Sequence, residues 1–275
     1  MAKHNADSLD RYRVPHDGKK FRLSKIDPGD DGGLTKEQAA VHLERDLGVL
    51  NGLQEKLVAA TSHSVLVVLQ AMDTGGKDGT VRKVFGPLDS LGLEVTSFKK
   101  PTPEELSHDF LWRVHRACPP KGKIGIFNRS HYEDVLVVKV HKWADEETIE
   151  RRYDQIRGFE RMLSENGTAI LKIFLHISRD EQRKRLQERL DDPTKHWKFN
   201  VGDLAERALW DDYMDAYQTA LRRCSTPEAP WYVIPANHKW YRNHLVARLL
   251  RKTVEDLKLA YPAGAPGLRK IKIPK

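Results

Sequence analysis

The run Val65-Leu-Val-Val-Leu-Gln-Ala-Met-Asp-Thr-Gly-Gly-Lys-Asp-Gly-Thr80 constrains this chain most, because a continuous apolar stretch passes directly into a glycine-rich turn carrying Lys77. Uninterrupted apolar residues suit a strand covered on both faces. Gly75, Gly76 and Gly79 then let the backbone turn tightly and aim several N–H groups at one point. That point is the mouth of a helix, whose N-terminus carries partial positive charge. Strand, turn and helix together predict a phosphate-binding loop, with Thr80 in the first helical turn and Lys77 placed to reach a transferred phosphoryl group.

The loop departs from the usual Gly-x-x-x-x-Gly-Lys-Ser/Thr pattern at two positions. Ala71 takes the first glycine's place, and Asp78 stands where a hydroxyl normally meets magnesium; a further acid, Asp73, lies inside the loop. Two carboxylates beside phosphates repel them unless a divalent cation sits between, and magnesium prefers such oxygen ligands. The departures therefore point to a metal-rich variant. Asp78 as a helix cap and Asp73 as a turn residue are the plainer alternative.

A chain of 275 residues can bury a substantial core, and no Pro/Gly/Ser-rich stretch divides it. The expectation is a single domain over 1–275, with an N-terminal helical extension over about 1–60 and a basic tail over about 261–275. No apolar run is long enough to span a bilayer, and residues 1–7 are polar without a signal-like segment, so a cytoplasmic protein is expected. Cys118 and Cys224 exclude a disulfide framework and have no metal-ligand spacing. The formal charge of +8 favours polyanionic partners; nucleic acid, anionic membrane and polymeric phosphate all remain open on charge alone.

Apolar spacing predicts helices over 35–60, 145–165, 179–191, 203–223 and 239–259, and strands over 65–70, 94–98, 124–127, 169–177 and 231–235. Thr102 and Glu105 form a capping-box pattern that opens a helix to about Arg116. Strands alternating with helices predict an α/β fold, a three-layer doubly wound parallel sheet with ligands at the carboxyl ends of its strands. The tail is expected to be disordered or draped on a partner.

Two further clusters follow predicted strands. Asn128-Arg-Ser-His-Tyr-Glu-Asp134 offers an amide at Asn128, a planar fork for phosphate oxygens at Arg129, and at Asp134 the best candidate for an acid holding magnesium, although it follows the strand by several residues. His131 is a weaker candidate for a base, since a phosphate acceptor is already anionic and needs positioning more than deprotonation. In Ser178–Arg189, Arg179 and Arg183 share one helix face, and Arg185 and Arg189 another. A lid over about 178–200 carrying such arginines would close on the phosphoryl group and exclude water, and a solvated helix laced with pairs to Asp180, Glu181 and Glu188 is the plainer alternative.

These blocks together resemble the polyphosphate kinase 2 family, phosphate-loop kinases similar in fold to thymidylate kinase. The likeness rests on Ala71–Gly79, Pro101–Arg113, Phe127–Val135, Trp231–Asn237 and Trp240-Tyr-Arg242, and extends over about residues 10–260. It implies reversible transfer of the terminal phosphoryl of inorganic polyphosphate to a nucleoside mono- or diphosphate, with Mg2+. On that resemblance Asp73 and Asp134 organise magnesium, Lys77 the transferring phosphoryl, and Asn128 and Arg129 the phosphate chain or acceptor, while Arg179, Arg183 and Arg189 come from the lid. Phe98, Lys99, Lys100 and Pro101 are expected at the acceptor, with Lys99 and Lys100 equally suited to the polyphosphate track. The Asn128–Asp134 block and single-domain length look like the group that takes AMP through ADP to ATP. The implied partners are polyphosphate and adenine nucleotides, with neither nucleic acid nor membrane, and a homo-oligomer is expected. The competing reading is an ATP-dependent nucleoside monophosphate kinase, which shares loop, lid and fold; a non-catalytic polyanion-binding protein is the second.

Overall fold

The computed structural model describes residues 9–268 and 271–274, so the reading of residues 1–7 lies outside it. Two short 3-10 turns, Leu9–Tyr12 and Leu23–Lys25, lead to α1 (Lys36–Ala60). The helix starts where the sequence signals it. The Thr35 hydroxyl accepts the Gln38 N–H, and the Gln38 side chain accepts the Thr35 N–H, which satisfies two of the helix's orphan donors.

The chain then runs β1 (Ser64–Gln70), α2 (Lys77–Thr80, widening into a π-type turn over Val81–Phe85), β2 (Leu93–Ser97), α3 (Pro103–Leu106) and α4 (Trp112–Arg116). Next come β3 (Ile124–Asn128), α5 (Val137–Val140), α6 (Glu146–Glu165), β4 (Thr168–His176) and α7 (Arg179–Asp191). The chain closes with α8 (Gly202–Ala208), α9 (Trp210–Cys224), β5 (Trp231–Pro235) and α10 (Lys239–Asp256).

Among the described residues five strands form one parallel sheet, in the order β2-β3-β1-β4-β5. β1 lies in the middle, every one of its residues is buried, and its carboxyl end delivers the glycine-rich loop to the centre of the sheet edge. β4 turns Lys172 and Phe174 towards α6 and α9, while α10, with α1 packed outside it, covers the other face. A sheet covered on both faces has no use for alternating polarity, which is why β1 and β4 read as unbroken apolar runs.

Two expected helices are interrupted. The helix expected to run to about Arg116 breaks after Leu106, where the Ser107 hydroxyl donates to the Glu104 carbonyl and the Asp109 carboxylate accepts the Leu111 N–H. Such short polar side chains offer the backbone local bonds in place of the helical ladder. The helix expected over 203–223 breaks at Leu209 (φ −89°, ψ 21°) and restarts as α9 with Asp211 and Asp212 in its first turn, where negative charge is favourable. The described parts of the tail, 261–268 and 271–274, are exposed. Among the described residues, no helix is long and apolar enough to cross a membrane.

Candidate active site

The loop after β1 is held open by two left-handed residues, Thr74 (φ 62°) and Gly76 (φ 102°). Gly75 is required by proximity, since a Cβ there would lie 2.5 Å from the Ala71 Cβ. Lys77 folds back over the loop and its Nζ donates to the Ala71 carbonyl at 2.8 Å. Burial, followed by the neighbouring charge of Arg129, lowers its pKa to about 8. The buried Thr74 hydroxyl has no hydrogen-bond partner among the described residues.

The second wall follows β3. Arg129 adopts φ 63°, which throws its side chain across the loop: Nη2 donates to Asp73 Oδ1 at 2.9 Å and Nη1 to Glu133 Oε2 at 3.3 Å. The Glu133 charge leads the causes that raise the guanidinium's pKa, so Arg129 is cationic throughout the ordinary range. Asn128 Nδ2 donates to Asp78 Oδ1 at 2.7 Å, tying the second cluster to the loop.

A buried polar network holds this wall from behind. Lys172 Nζ, on β4, donates to Glu160 Oε2 (2.5 Å), the Tyr132 hydroxyl (2.9 Å) and the Cys224 carbonyl (2.6 Å). Tyr132 also donates to Glu160 Oε1, and His131 Nε2 lies 3.2 Å from the same oxygen. Burial by itself raises the Glu160 pKa, but the Lys172 charge and the His131 bond outweigh it and hold the carboxyl below its ordinary value. His131 is therefore spent inside the protein and does not face the cleft.

Two cavities meet at Asp73 and Arg129, which line both. The larger, about 680 Å³, is walled by the glycine loop, Lys77 and Asp78, with Arg82, Lys99, Arg189, Lys195, Lys198, Lys239 and Arg242 around it. The smaller, about 260 Å³, is walled by Tyr213 and Tyr217 of α9 together with Glu133, Asp203, Glu206, Met72 and Val137. One cavity is strongly cationic; the other is aromatic and acidic.

Residues 33–261 match the family Polyphosphate kinase 2. The chain belongs to the polyphosphate kinase 2 family. It is 54% identical over 273 residues to the AMP/ADP-polyphosphate phosphotransferase of Meiothermus ruber, covering 96% of this chain and 100% of that one. It is 44% identical to the ADP-polyphosphate phosphotransferase of Rhodopseudomonas palustris, with 94% of each covered. The crystal structure of polyphosphate kinase 2 from Arthrobacter aurescens superposes with a TM-score of 0.93 at 47% identity, covering 96% of this chain and 95% of that one. The chain thus has the α/β fold of phosphate-loop kinases, and its relatives are phosphotransferases.

In this polyphosphate kinase 2 chain the expected residues divide into two sets. Gly75, Gly76, Asp78, Gly79, Lys77, Asp73, Asn128, Arg129, Lys99 and Arg189 all line the cationic cavity. Asp134 reaches neither cavity. Its carboxylate is 3.7 Å from Arg152, and the acid that the short 3-10 helix His131–Val135 turns to the cleft is Glu133, one residue earlier. Burial raises the Asp134 pKa, with Arg152 and Arg113 opposing. The Thr80 hydroxyl donates back to the Gly76 carbonyl at 3.1 Å, and Lys100 is exposed outside the cavity lining. Arg179 and Arg183 are exposed on α7, Arg183 beside Asp180 and Gln187 on its outer face. Helical register explains the outcome, since α7 is anchored by its other face.

That anchor is Arg185, which the sequence reading did not single out for a role of its own. Its Nη1 donates to the Thr74 carbonyl (3.0 Å), its Nη2 to the Ala236 (2.6 Å) and Asn237 (3.0 Å) carbonyls, and its Nε to Glu181 (2.7 Å). Gln182 Nε2 adds a bond to the Asp73 carbonyl at 3.1 Å. The Glu181/Arg185 spacing was visible as a helical pair, but its reach to the loop depends on β4 and β1 being neighbours.

Among the described residues, no three His, Cys, Asp or Glu side chains cluster closely enough to enclose a metal ion. Phosphotransferases of this kind generally need a divalent metal. Magnesium commonly takes one or two carboxylates and fills its shell with water and substrate phosphates, so Asp73, shared by both cavities, fits that use.

Proposed function

We propose that this chain transfers the terminal phosphoryl of inorganic polyphosphate to ADP and to AMP, reversibly and with Mg2+, acting as one kinase unit. What carries the reading is the meeting of two unlike cavities at Asp73 and Arg129. A cationic cavity suits a polymeric anion, and a tyrosine-lined cavity with carboxylates suits the base and ribose hydroxyls of a nucleotide. Relatives named as AMP/ADP- and ADP-polyphosphate phosphotransferases support both substrates.

In the forward direction, an oxygen of the acceptor's last phosphate attacks the terminal phosphorus of the donor. The bond from that phosphorus to its bridging oxygen breaks, and the shortened polyphosphate leaves with the electron pair. Loop N–H groups and Lys77 hold the transferring group, and Arg129 bridges donor and acceptor. The attacking oxygen is already anionic, so no base is needed, which accords with the buried place of His131. Magnesium, held through Asp73, would supply charge neutralisation when bound. Lid closure would bring α7 and the following turn over the cavity, with Arg189 the lid arginine lining it.

The test is chromatography of the nucleotides formed from polyphosphate, magnesium and AMP or ADP, with Lys77→Ala as control. ATP from both acceptors is the expected result. Product from ADP alone would narrow the acceptor range, and product only when ATP replaces polyphosphate would favour a nucleoside monophosphate kinase.

A further inference from the structure

Two guanidinium groups are buried against the glycine loop, and they are differently served. Arg185 is 5% exposed and all three of its nitrogens are bonded, one of them to the Glu181 carboxylate. Arg242, in the first turn of α10, is 3% exposed, and its Nε and Nη2 share one acceptor, Asn243 Oδ1, at 3.2 and 2.9 Å. Among the described residues no carboxylate pairs with Arg242 and its Nη1 has no hydrogen-bond partner. A buried charge without a counter-ion is costly, and the like charge of Arg185 adds to the cost.

The guanidinium lies directly behind the loop. A Cβ on Gly76 would fall 1.8 Å from Arg242 Nη1, and one on Gly79 would fall 3.3 Å from Nη2. These glycines therefore do more than permit a tight turn, because the space their side chains would fill is taken by an arginine. The same residue lines the cationic cavity and is absent from the tyrosine-lined one.

We infer that Arg242 is a phosphate ligand of the donor site, binding the polyphosphate chain from the α10 side of the loop while Lys77 binds it from within. The inference rests on reading the cationic cavity as the donor's. Burial, then Arg185, lowers the Arg242 pKa to about 9, which still leaves it cationic at neutral pH. A phosphate at the loop supplies the missing counter-ion, and the planar fork can take two of its oxygens. Lys239, one turn earlier on the same helix, and Lys195 and Lys198 from the lid line the same cavity. The donor chain accordingly leaves the loop past α10 and beneath the lid, away from the acceptor's cavity.

The test combines thermal unfolding with steady-state kinetics for wild type, Arg242→Met and Arg242→Lys, using long-chain polyphosphate without nucleotide in the unfolding arm. Without ligand, Arg242→Met should unfold at or above the wild-type temperature, because the removed charge had no partner; a purely structural arginine would lower it. Polyphosphate should raise the wild-type Tm, hardly raise that of Arg242→Met, and act in between on Arg242→Lys, which keeps the charge without the fork. The KM for polyphosphate should rise about tenfold or more in Arg242→Met while the KM for ADP stays within about threefold. If polyphosphate stabilises the Met variant as it does wild type, or if the Lys variant binds it unchanged, Arg242 is not a donor ligand. If wild type itself is not stabilised by polyphosphate, the reading of the cationic cavity fails, and this inference with it.

Discussion

Lys77 is a buried side chain lining the cationic cavity, and the proposed mechanism uses its charge on the transferring phosphoryl. Replacing it by alanine should lower kcat by about a hundredfold or more, as does loss of a group that stabilises developing charge, with circular dichroism unchanged. Because its pKa is depressed to about 8, the active cation is lost as pH rises through that value. kcat/KM for polyphosphate in the free enzyme should therefore fall on the alkaline side with an apparent pKa near 8; a profile flat to pH 9.5 or so would remove the lysine's charge from the mechanism. The two candidate metal acids separate at the same scale. Asp73→Asn should cost about a hundredfold in kcat, whereas Asp134→Asn, whose carboxylate faces Arg152, should cost much less. Equal losses would return Asp134 to the metal site. Behind both, Lys172→Met strands the Glu160 charge and should destabilise the fold by about 3–5 kcal/mol in urea unfolding. The double variant with Glu160→Gln should recover part of that loss, since it leaves no buried charge; an additive double loss would mean the pair contributes nothing as a pair.

Among the elements, those bounded by local signals were legible. Thr102 caps a helix at the position its spacing with Glu105 announces, and Thr35, Asp145 and Ser178 cap the helices expected to begin beside them, because a cap depends on three or four consecutive residues. Where the chain broke a periodic run, as at Leu209 and after Leu106, the apolar pattern continued across the break and gave no warning. The face of α7 that meets the loop was likewise hidden, since two arginine pairs at the same spacing look equivalent until the sheet order decides which one lies inside. The arginines of α7 give the test. Arg189→Ala should slow turnover by about tenfold or more, and Arg183→Ala should leave it near wild type. A loss at Arg183 as large as that at Arg189 would mean that α7 turns about its axis during turnover.

At the scale of the whole molecule, Arg82, Lys99, Lys195, Lys198, Lys239 and Arg242 are brought around the cationic cavity from elements far apart in a chain of formal charge +8. A polymeric substrate meets several of these at once, so its apparent affinity should fall more steeply with salt than that of ADP. Parallel salt dependences for the two would count against an extended track. The strand, glycine turn and lysine of residues 65–80 were determined by the sequence alone, because steric freedom at glycine and apolar burial act over neighbouring residues. The meeting of Arg129 with Asp73, the choice of Glu133 over Asp134, and the seat of Arg242 behind Gly76 were decided by the tertiary structure. Those contacts join residues between 56 and 166 positions apart or turn on which face of a short helix is buried, and such contacts are set by the order of strands in the sheet and the packing of helices upon it.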